Sequence, residues 1–423
     1  MLKQKNLNIY KKVQNIDVHQ NFFVVHLYNQ FFRGTLMTLF TPTSKWQMEE
    51  HQLFTESVKK FFTDEVKPNL EEWGKKQQVD RALWDKAGDA GILGSSIPEE
   101  FGGFGGDLGF DAITLYELGR TAGDSGSWGY AIQSIVVHYI NAYGTDEQKK
   151  RWLPKLSTGE YVASLAMTEP STGSDVQAIK TTAEKDGNQY KINGSKIFIT
   201  NGGSADLIVL AAKTNKSEKS KGVSLVVVET KDLEGFSRGK PLKKLGQKGN
   251  DTCELFFEDV KVPLTNLLGS EEGQGFYQLM KQLPWERLAI GIGALGNIDF
   301  ALEETIKYVK DRKAFDKRIM DFQNTRFQLA EMKTKAEVLR SFINDCVDRV
   351  KQGSLDAATA SMAKYWGSQT QNEIMDGCLQ LHGGYGFIME YPIARMYADA
   401  RVQSIYGGTN EIMKELIARS LDD

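Results

Sequence analysis

Leu207-Ile-Val-Leu-Ala-Ala212 and Val223-Ser-Leu-Val-Val-Val228 are apolar runs rich in β-branched side chains, separated by the polar stretch 213–222. Runs of this length between turn residues predict strands buried on both faces. Ile197-Phe-Ile-Thr200 and Glu254-Leu-Phe-Phe257 read the same way, and Asn193-Gly194 carries the composition of a hairpin turn. The stretch from about residue 163 to 262 is therefore predicted to be a β domain.

The pattern changes on either side. From Trp46 to about Leu156, Leu53, Phe54, Val58, Phe61 and Phe62 recur at three- and four-residue steps, the period of a helix. After Gly275, Leu329, Met332, Ala336, Leu339, Ile343, Cys346 and Val350 line one face of a long helix. The expectation is α+β: an N-terminal extension over residues 1–45, a helical domain over 46–160, a β domain over 161–274 and a second helical domain over 275–423. A chain of 423 residues is long enough for that number of domains at roughly 150 residues each.

Composition narrows the function classes. Apolar residues make up 41% and charged residues 25%, the mix of an ordinary globular protein. Lys plus Arg total 52 against 55 Asp plus Glu, so the field of the whole chain draws in neither nucleic acid nor anionic membrane. The first 40 residues hold five of those cations and one acid, Asp17, leaving 47 against 54 and a net charge of −7 for the rest. Nowhere does the sequence offer the ~20 consecutive apolar residues of a membrane span. Cys253, Cys346 and Cys378 are too dispersed for a disulfide framework or a CxxC site, and no HExxH pair occurs, so a metal is not expected. The N-terminal stretch has one Arg and no Ser, unlike a transit peptide, and lacks a signal-peptide core. We expect it to be a dispensable tail, with translation starting at Met37 or Met48, and the compartment to be bacterial cytoplasm, the mitochondrial matrix being the alternative.

Gly291-Ile-Gly-Ala-Leu-Gly296 matches the GxGxxG string of dinucleotide-binding turns. No strand precedes it, and Arg287, Leu288 and Ile290 read as a helix running through, so helix packing explains the glycines better than NAD. Phe101-Gly-Gly-Phe-Gly-Gly106 lacks the fingerprint and reads as a turn after Pro98.

The polar segment Ala166-Met-Thr-Glu-Pro-Ser-Thr-Gly-Ser-Asp175 would pass as a structural loop on its own. It resembles, however, the flavin-binding signature of the acyl-CoA dehydrogenases. The resemblance continues through Phe198-Ile-Thr200, Arg312-Lys-Ala-Phe315, Gln380-Leu-His-Gly-Gly384 and Ile405-Tyr-Gly-Gly-Thr-Asn-Glu411, in family order, from about residue 46 to the C-terminus. It is strongest to the long-chain members over Leu283-Pro-Trp-Glu-Arg287 and Ala360-Ser-Met-Ala-Lys-Tyr-Trp366. It implies the family's architecture: an N-terminal helical domain, a middle β-barrel domain and a C-terminal four-helix bundle.

By the same resemblance the chain oxidises the α,β bond of a medium- or long-chain acyl-CoA to the trans-2-enoyl-CoA in fatty acid β-oxidation. It would use FAD, pass electrons to an electron-transfer flavoprotein and assemble as a homotetramer. Leu165, Ala166, Met167, Thr168, Ser174, Phe198, Ile199 and Thr200 would surround the flavin, Phe198 standing where many relatives have Trp. Arg312, Gln323, Gln380, Leu381, His382, Gly383, Gly384, Thr409, Asn410 and Glu411 would hold the pyrophosphate and adenosine, partly across a subunit interface. Many members carry their base just before the Gly-Thr of the last motif, but that position here is Gly407. Long-chain and isovaleryl-type members place it on another helix, and the matching residue is Glu286. Pro284 is expected in the first turn of that helix, where the dipole would lower the pKa of Glu286 until acyl-CoA buries it. Ser174, Tyr277, Pro284, Trp285, Arg287, Gly407 and Gly408 would contact the substrate, the N–H of Gly407 polarising the thioester oxygen. The alternatives are a branched-chain acyl-CoA dehydrogenase of isovaleryl or citronellyl type, a flavin monooxygenase on the same fold, or a redox-silent acyl-CoA-binding homologue.

Overall fold

The computed structural model of the chain describes residues 44–122 and 128–422. Of the predicted N-terminal extension, residues 1–43 lie outside the described residues. Helices come first: α1 (Glu49–Phe61), α2 (Leu70–Lys76), α3 (Ala82–Asp89), α4 (Leu108–Ala122), α5 (Tyr130–Tyr143) and α6 (Asp146–Ser157). Val58, Phe61 and Phe62 are buried as the periodicity predicts, whereas Leu53 faces outward. Helix α6 starts on a capping box in which Thr145 accepts from the Gln148 N–H and the Gln148 side chain accepts from the Thr145 N–H.

The sheet follows, with β1 (Ala163–Ala166), β2 (Thr182–Asp186), β3 (Gln189–Ile199), β4 (Leu207–Lys213), β5 (Val223–Glu229), β6 (Phe236–Arg238) and β7 (Cys253–Pro263). The order is β1-β4-β2-β3-β7-β6, with β5 antiparallel to β4 on its other side and β1 parallel to β4. Strand β4 shows why its run is apolar throughout. Leu207, Val209 and Ala211 pack with Val136, Ile140, Trp152 and Leu156 of α5 and α6. Ile208, Leu210 and Ala212 instead face a core inside the curled sheet, with Ile192, Val226, Leu255 and Val260. The hairpin between β2 and β3 turns at Gly187-Asn188, with Gly187 at φ 60°. Asn193-Gly194, which composition marks as a turn, lies inside β3 at an irregularity in its pairing with β7. Gly194 is required there because a Cβ would stand 2.5 Å from Thr181 Oγ1.

The last third contains α7 (Gly275–Asp311), a hairpin of β8 (Lys313–Ala314) and β9 (Lys317–Arg318), α8 (Gln323–Lys351), α9 (Ala357–His382), α10 (Pro392–Ala400) and α11 (Asn410–Arg419). The apolar face predicted for α8 is buried from Leu329 through Cys346. The GxGxxG string lies within α7, and its glycines let helices touch. A Cβ on Gly296 would stand 2.2 Å from the Tyr116 carbonyl oxygen of α4, and one on Gly291 would stand 2.9 Å from the Ala363 carbonyl oxygen of α9. Residues of α1, α3 and α4 share one apolar core with residues of α7, α8 and α9. Among the described residues no helix is long and apolar enough to cross a membrane.

Candidate active site

Helix α7 starts at Gly275, so Pro284 and Glu286 lie in its interior. The first-turn placement expected from Pro284 is therefore wrong: this proline is tolerated at the cost of one intrahelical hydrogen bond. Glu286 therefore lies beyond the reach of the helix dipole, whose field acts within the first turn. Glu286 is 6% exposed, and the Tyr139 hydroxyl of α5 donates to its Oε1 at 2.7 Å. Burial pushes the carboxyl up to about 7, while the Tyr139 hydrogen bond and the Arg287 charge pull the other way. The protein itself thus supplies the desolvation expected from acyl-CoA.

Arg287 is buried beside it, with Nη1 donating to Ser361 Oγ at 3.3 Å and Nε making no hydrogen bond among the described residues. Trp285 is also buried, its ring edge-on to His138 at 5.9 Å, and its Nε1 has no partner among the described residues. Tyr277 and Pro284 keep part of their surface exposed on the same helix.

Gly407 and Gly408 have φ of 63° and 90°, in the left-handed region. A Cβ on Gly407 would stand 2.4 Å from Ile290 Cδ1, one turn beyond Glu286 on α7. An acid at 407 would thus meet backbone strain and would need the terminal methyl of Ile290 to move aside.

The predicted flavin-facing segments are laced together. Lys196 Nζ donates to the Met167 carbonyl at 2.8 Å and to Glu169 Oε1 at 2.9 Å, and both side chains are buried. Glu169 also accepts from the N–H groups of Lys180 and Thr181. The Ile197 N–H donates to the Thr168 carbonyl at 3.0 Å, and Ser164 Oγ to the Thr200 carbonyl at 2.7 Å. Phe198 is held at φ 62° and is 64% exposed. A bulky residue in that conformation costs of order 1–3 kcal/mol, a strain typical of functional segments. Leu165, Ala166 and Ile199 are buried in the cores, so their backbones are what they can offer a ligand; Ser174 is exposed. Leu165, Met167, Tyr139 and Leu279 belong to one apolar cluster, which joins this loop to the Tyr139–Glu286 pair.

Arg312, Gln380, Leu381, His382, Gly383 and Gly384 line one cleft of about 600 Å³ with Tyr308 and Tyr385. The His382 ring stacks on Tyr308 at 4.3 Å, and the Arg312 guanidinium lies 5.6 Å from the centre of the Tyr385 ring. Thr409, Asn410 and Glu411 line a different cleft of about 710 Å³, with Arg401 and Lys414. There Thr409 caps α11, and Asn410 Oδ1 accepts from Lys364 Nζ at 2.9 Å and Ser368 Oγ at 3.1 Å. Burial pushes the Lys364 ammonium down to about 8. Gln323, exposed at the start of α8, is among the residues lining neither cleft.

Tyr139, Lys196 and Lys364 shape this site without having been singled out in the sequence. Tyr139 and Tyr143 read as core aromatics at helical spacing, and a lysine in a strand or helix reads as a solvated face. Nothing local marks them.

The donor set suits a dinucleotide. Arg312 has no carboxylate within ion-pair distance among the described residues, aromatic rings flank it, and a Cβ on Gly383 or Gly384 would meet nothing within 4 Å, which leaves open backbone beside a cation. Comparison with known proteins agrees. The acyl-CoA dehydrogenase N-terminal, middle and C-terminal domain models match residues 48–160, 164–260 and 273–421. The mitochondrial long-chain specific acyl-CoA dehydrogenase of Rattus norvegicus is 49% identical over 375 residues, 88% of this chain and 86% of that one. The acyl-CoA dehydrogenase of Geobacillus kaustophilus superposes with a TM-score of 0.87 at 44% identity, covering 90% of this chain and all of that one. A glutaryl-CoA dehydrogenase of Mycobacterium smegmatis, solved in complex with FADH2, superposes at 0.83 with 27% identity, covering 90% and 96% of the two chains. Members of the family are FAD-dependent. The α-β-α architecture, the motif order and these matches together place the chain in the acyl-CoA dehydrogenase family.

Proposed function

We propose that the chain is an FAD-dependent dehydrogenase of medium- and long-chain acyl-CoA thioesters, with Glu286 as base. The observation carrying this reading is the buried Glu286 carboxyl, pushed up to about 7, on the helix that walls off Gly407. A base poised near neutral pH balances its ionised fraction against its proton affinity.

FAD would lie with its ring at residues 165–168, Ser174 and residues 198–200. Its phosphates and adenosine would lie along Arg312, Gln323, residues 380–384 and residues 409–411, partly across a homotetramer interface. When bound it supplies the two-electron acceptor that no side chain here can provide, taking the β-hydrogen with its electron pair. Glu286 takes the α-proton, so the Cα–H and Cβ–H bonds break and the α,β double bond forms. The Gly407 N–H donates to the thioester oxygen as negative charge builds on it. Arg287, Trp285, Tyr277, Pro284, Ser174 and Gly408 bind and orient the acyl-CoA. Electrons then pass to an electron-transfer flavoprotein. We place the protein in bacterial cytoplasm, with the mitochondrial matrix as the alternative that cell fractionation tests.

The displaced base is shared with isovaleryl-type members, which favours a branched-chain substrate as the second reading. Initial rates from butyryl- to stearoyl-CoA, with isovaleryl-CoA alongside, test both. Highest kcat/KM on long straight chains supports the first reading, and a preference for isovaleryl-CoA replaces it. A yellow preparation that no acyl-CoA bleaches anaerobically would point to the redox-silent homologue.

A further inference from the structure

Tyr139 and Glu286 belong to different helices, α5 and α7, and meet in the interior. Tyr139 is fully buried, Glu286 nearly so, and the 2.7 Å hydrogen bond to Oε1 is the only one that reaches this carboxylate among the described residues. The seam is fastened again one turn along. Tyr143 lies 6.2 Å from Tyr139 ring to ring, its hydroxyl donates to the Gln278 carbonyl at 3.2 Å, and it accepts from Gln282 Nε2 at 3.3 Å.

A carboxylate on a flexible side chain loses efficiency if its reacting oxygen wanders by even an ångström. We propose that Tyr139 is the positioning residue for Glu286: by donating to Oε1 it fixes the side chain, leaves Oε2 as the oxygen that takes the α-proton, and favours the ionised form. The inference rests on the reading of Glu286 as base. It goes beyond that reading by assigning the device that keeps a buried acid ionisable near neutral pH.

The groups around Glu286 fit this division of labour. From α5 come Tyr139, Tyr143 and His138, the last against Trp285. From α7 itself comes Arg287, which lowers the carboxyl pKa through its charge. Arg287 in turn helps lower the Lys364 ammonium of α9, which Glu411 of α11 raises. Of these, Tyr139 alone hydrogen-bonds the carboxylate, and a hydrogen bond to the charged form stabilises it.

The test uses the FAD-loaded enzyme and Tyr139→Phe, with Glu286→Gln to assign the infrared band of the protonated carboxyl. Loss of a hydrogen bond to an ionised group should move the titration midpoint of that band up by about one pH unit. The acid limb of kcat should move with it, lowering kcat roughly tenfold on that limb while KM stays within about twofold. Fluorotyrosine at 139, a stronger donor that deletes no atom, should move both midpoints down; it also serves if the phenylalanine variant folds poorly. Glu286→Gln that bleaches with acyl-CoA at the wild-type rate would remove the base and the role of Tyr139 together. An inactive Glu286→Gln, with Tyr139 variants whose midpoints match wild type, would overturn the positioning role alone.

Discussion

Ile290 occupies the space a side chain on Gly407 would need: the nearest approach, 2.4 Å, is well inside van der Waals contact. Position 407 is also left-handed, which costs a non-glycine residue about 1–2 kcal/mol. In the proposed reading the carboxyl group comes instead from Glu286, one turn earlier on the same helix. Glu286→Gln should abolish flavin bleaching by acyl-CoA. Adding Gly407→Glu should restore little, and a further Ile290→Ala should restore more by clearing the wall. Anaerobic stopped-flow measurement of flavin absorbance gives all three rates.

The same carboxyl makes stability depend on pH. Folded Glu286 holds its proton up to about pH 7, whereas an unperturbed glutamate releases it near 4.5. The folded state therefore binds more protons across that window, so stability falls as pH rises through it and stays lower above. The effect is about 3 kcal/mol at full extent. Glu286→Gln should thus unfold at a higher temperature than wild type above pH 7, with the gap closing toward pH 4.5. Calorimetry across that range shows whether the gap follows this sign.

Lys196 and Glu169 form a buried pair under the predicted flavin loop, Lys196 also holding the Met167 carbonyl. Lys196→Met leaves the Glu169 carboxylate buried without its cation, a change of about 3–5 kcal/mol. Chemical denaturation should show that loss. FAD retention on gel filtration should fall as well, because the loop loses the hydrogen bond that tethers the Met167 carbonyl.

The GxGxxG string offers an internal comparison. A Cβ on Gly296 would meet the Tyr116 carbonyl at 2.2 Å, while one on Gly293 would meet nothing within 4 Å. Gly296→Ala should destabilise by about 1–3 kcal/mol through overpacking. Gly293→Ala should stabilise by about 0.5–1 kcal/mol through helix propensity. Equal and opposite-to-expected shifts, or loss of function at Gly293, would contradict the packing account.

The elements most readable in the sequence are those whose burial repeats. Strand β4 is apolar at every step because each face has its own core, and α8 shows one stripe because one face is buried. The start of the helix around Glu286 is not legible, because Pro284 looks like a first-turn residue and the apolar pattern upstream, Phe276 and Leu279 among it, carries no cap. Asn193-Gly194 is a second case: the glycine answers to Thr181, a neighbour across the sheet that local composition does not reveal. Motif resemblance pointed to Glu286 and Gly407, yet Tyr139 comes from a helix about 147 positions away in sequence, and only folding brings its hydroxyl to the carboxylate.

The apolar core shared by α1, α3 and α4 with α7, α8 and α9 has a bearing on how the chain comes apart. Its two halves lie on opposite sides of the sheet in sequence, so neither can complete that core alone. Heating should therefore give one cooperative transition for both helical regions, and a fragment ending before Gly275 should expose the uncovered half and aggregate. The chain behaves in this respect as a clasp closed around its sheet, and synthesis must reach its last third before the first can settle.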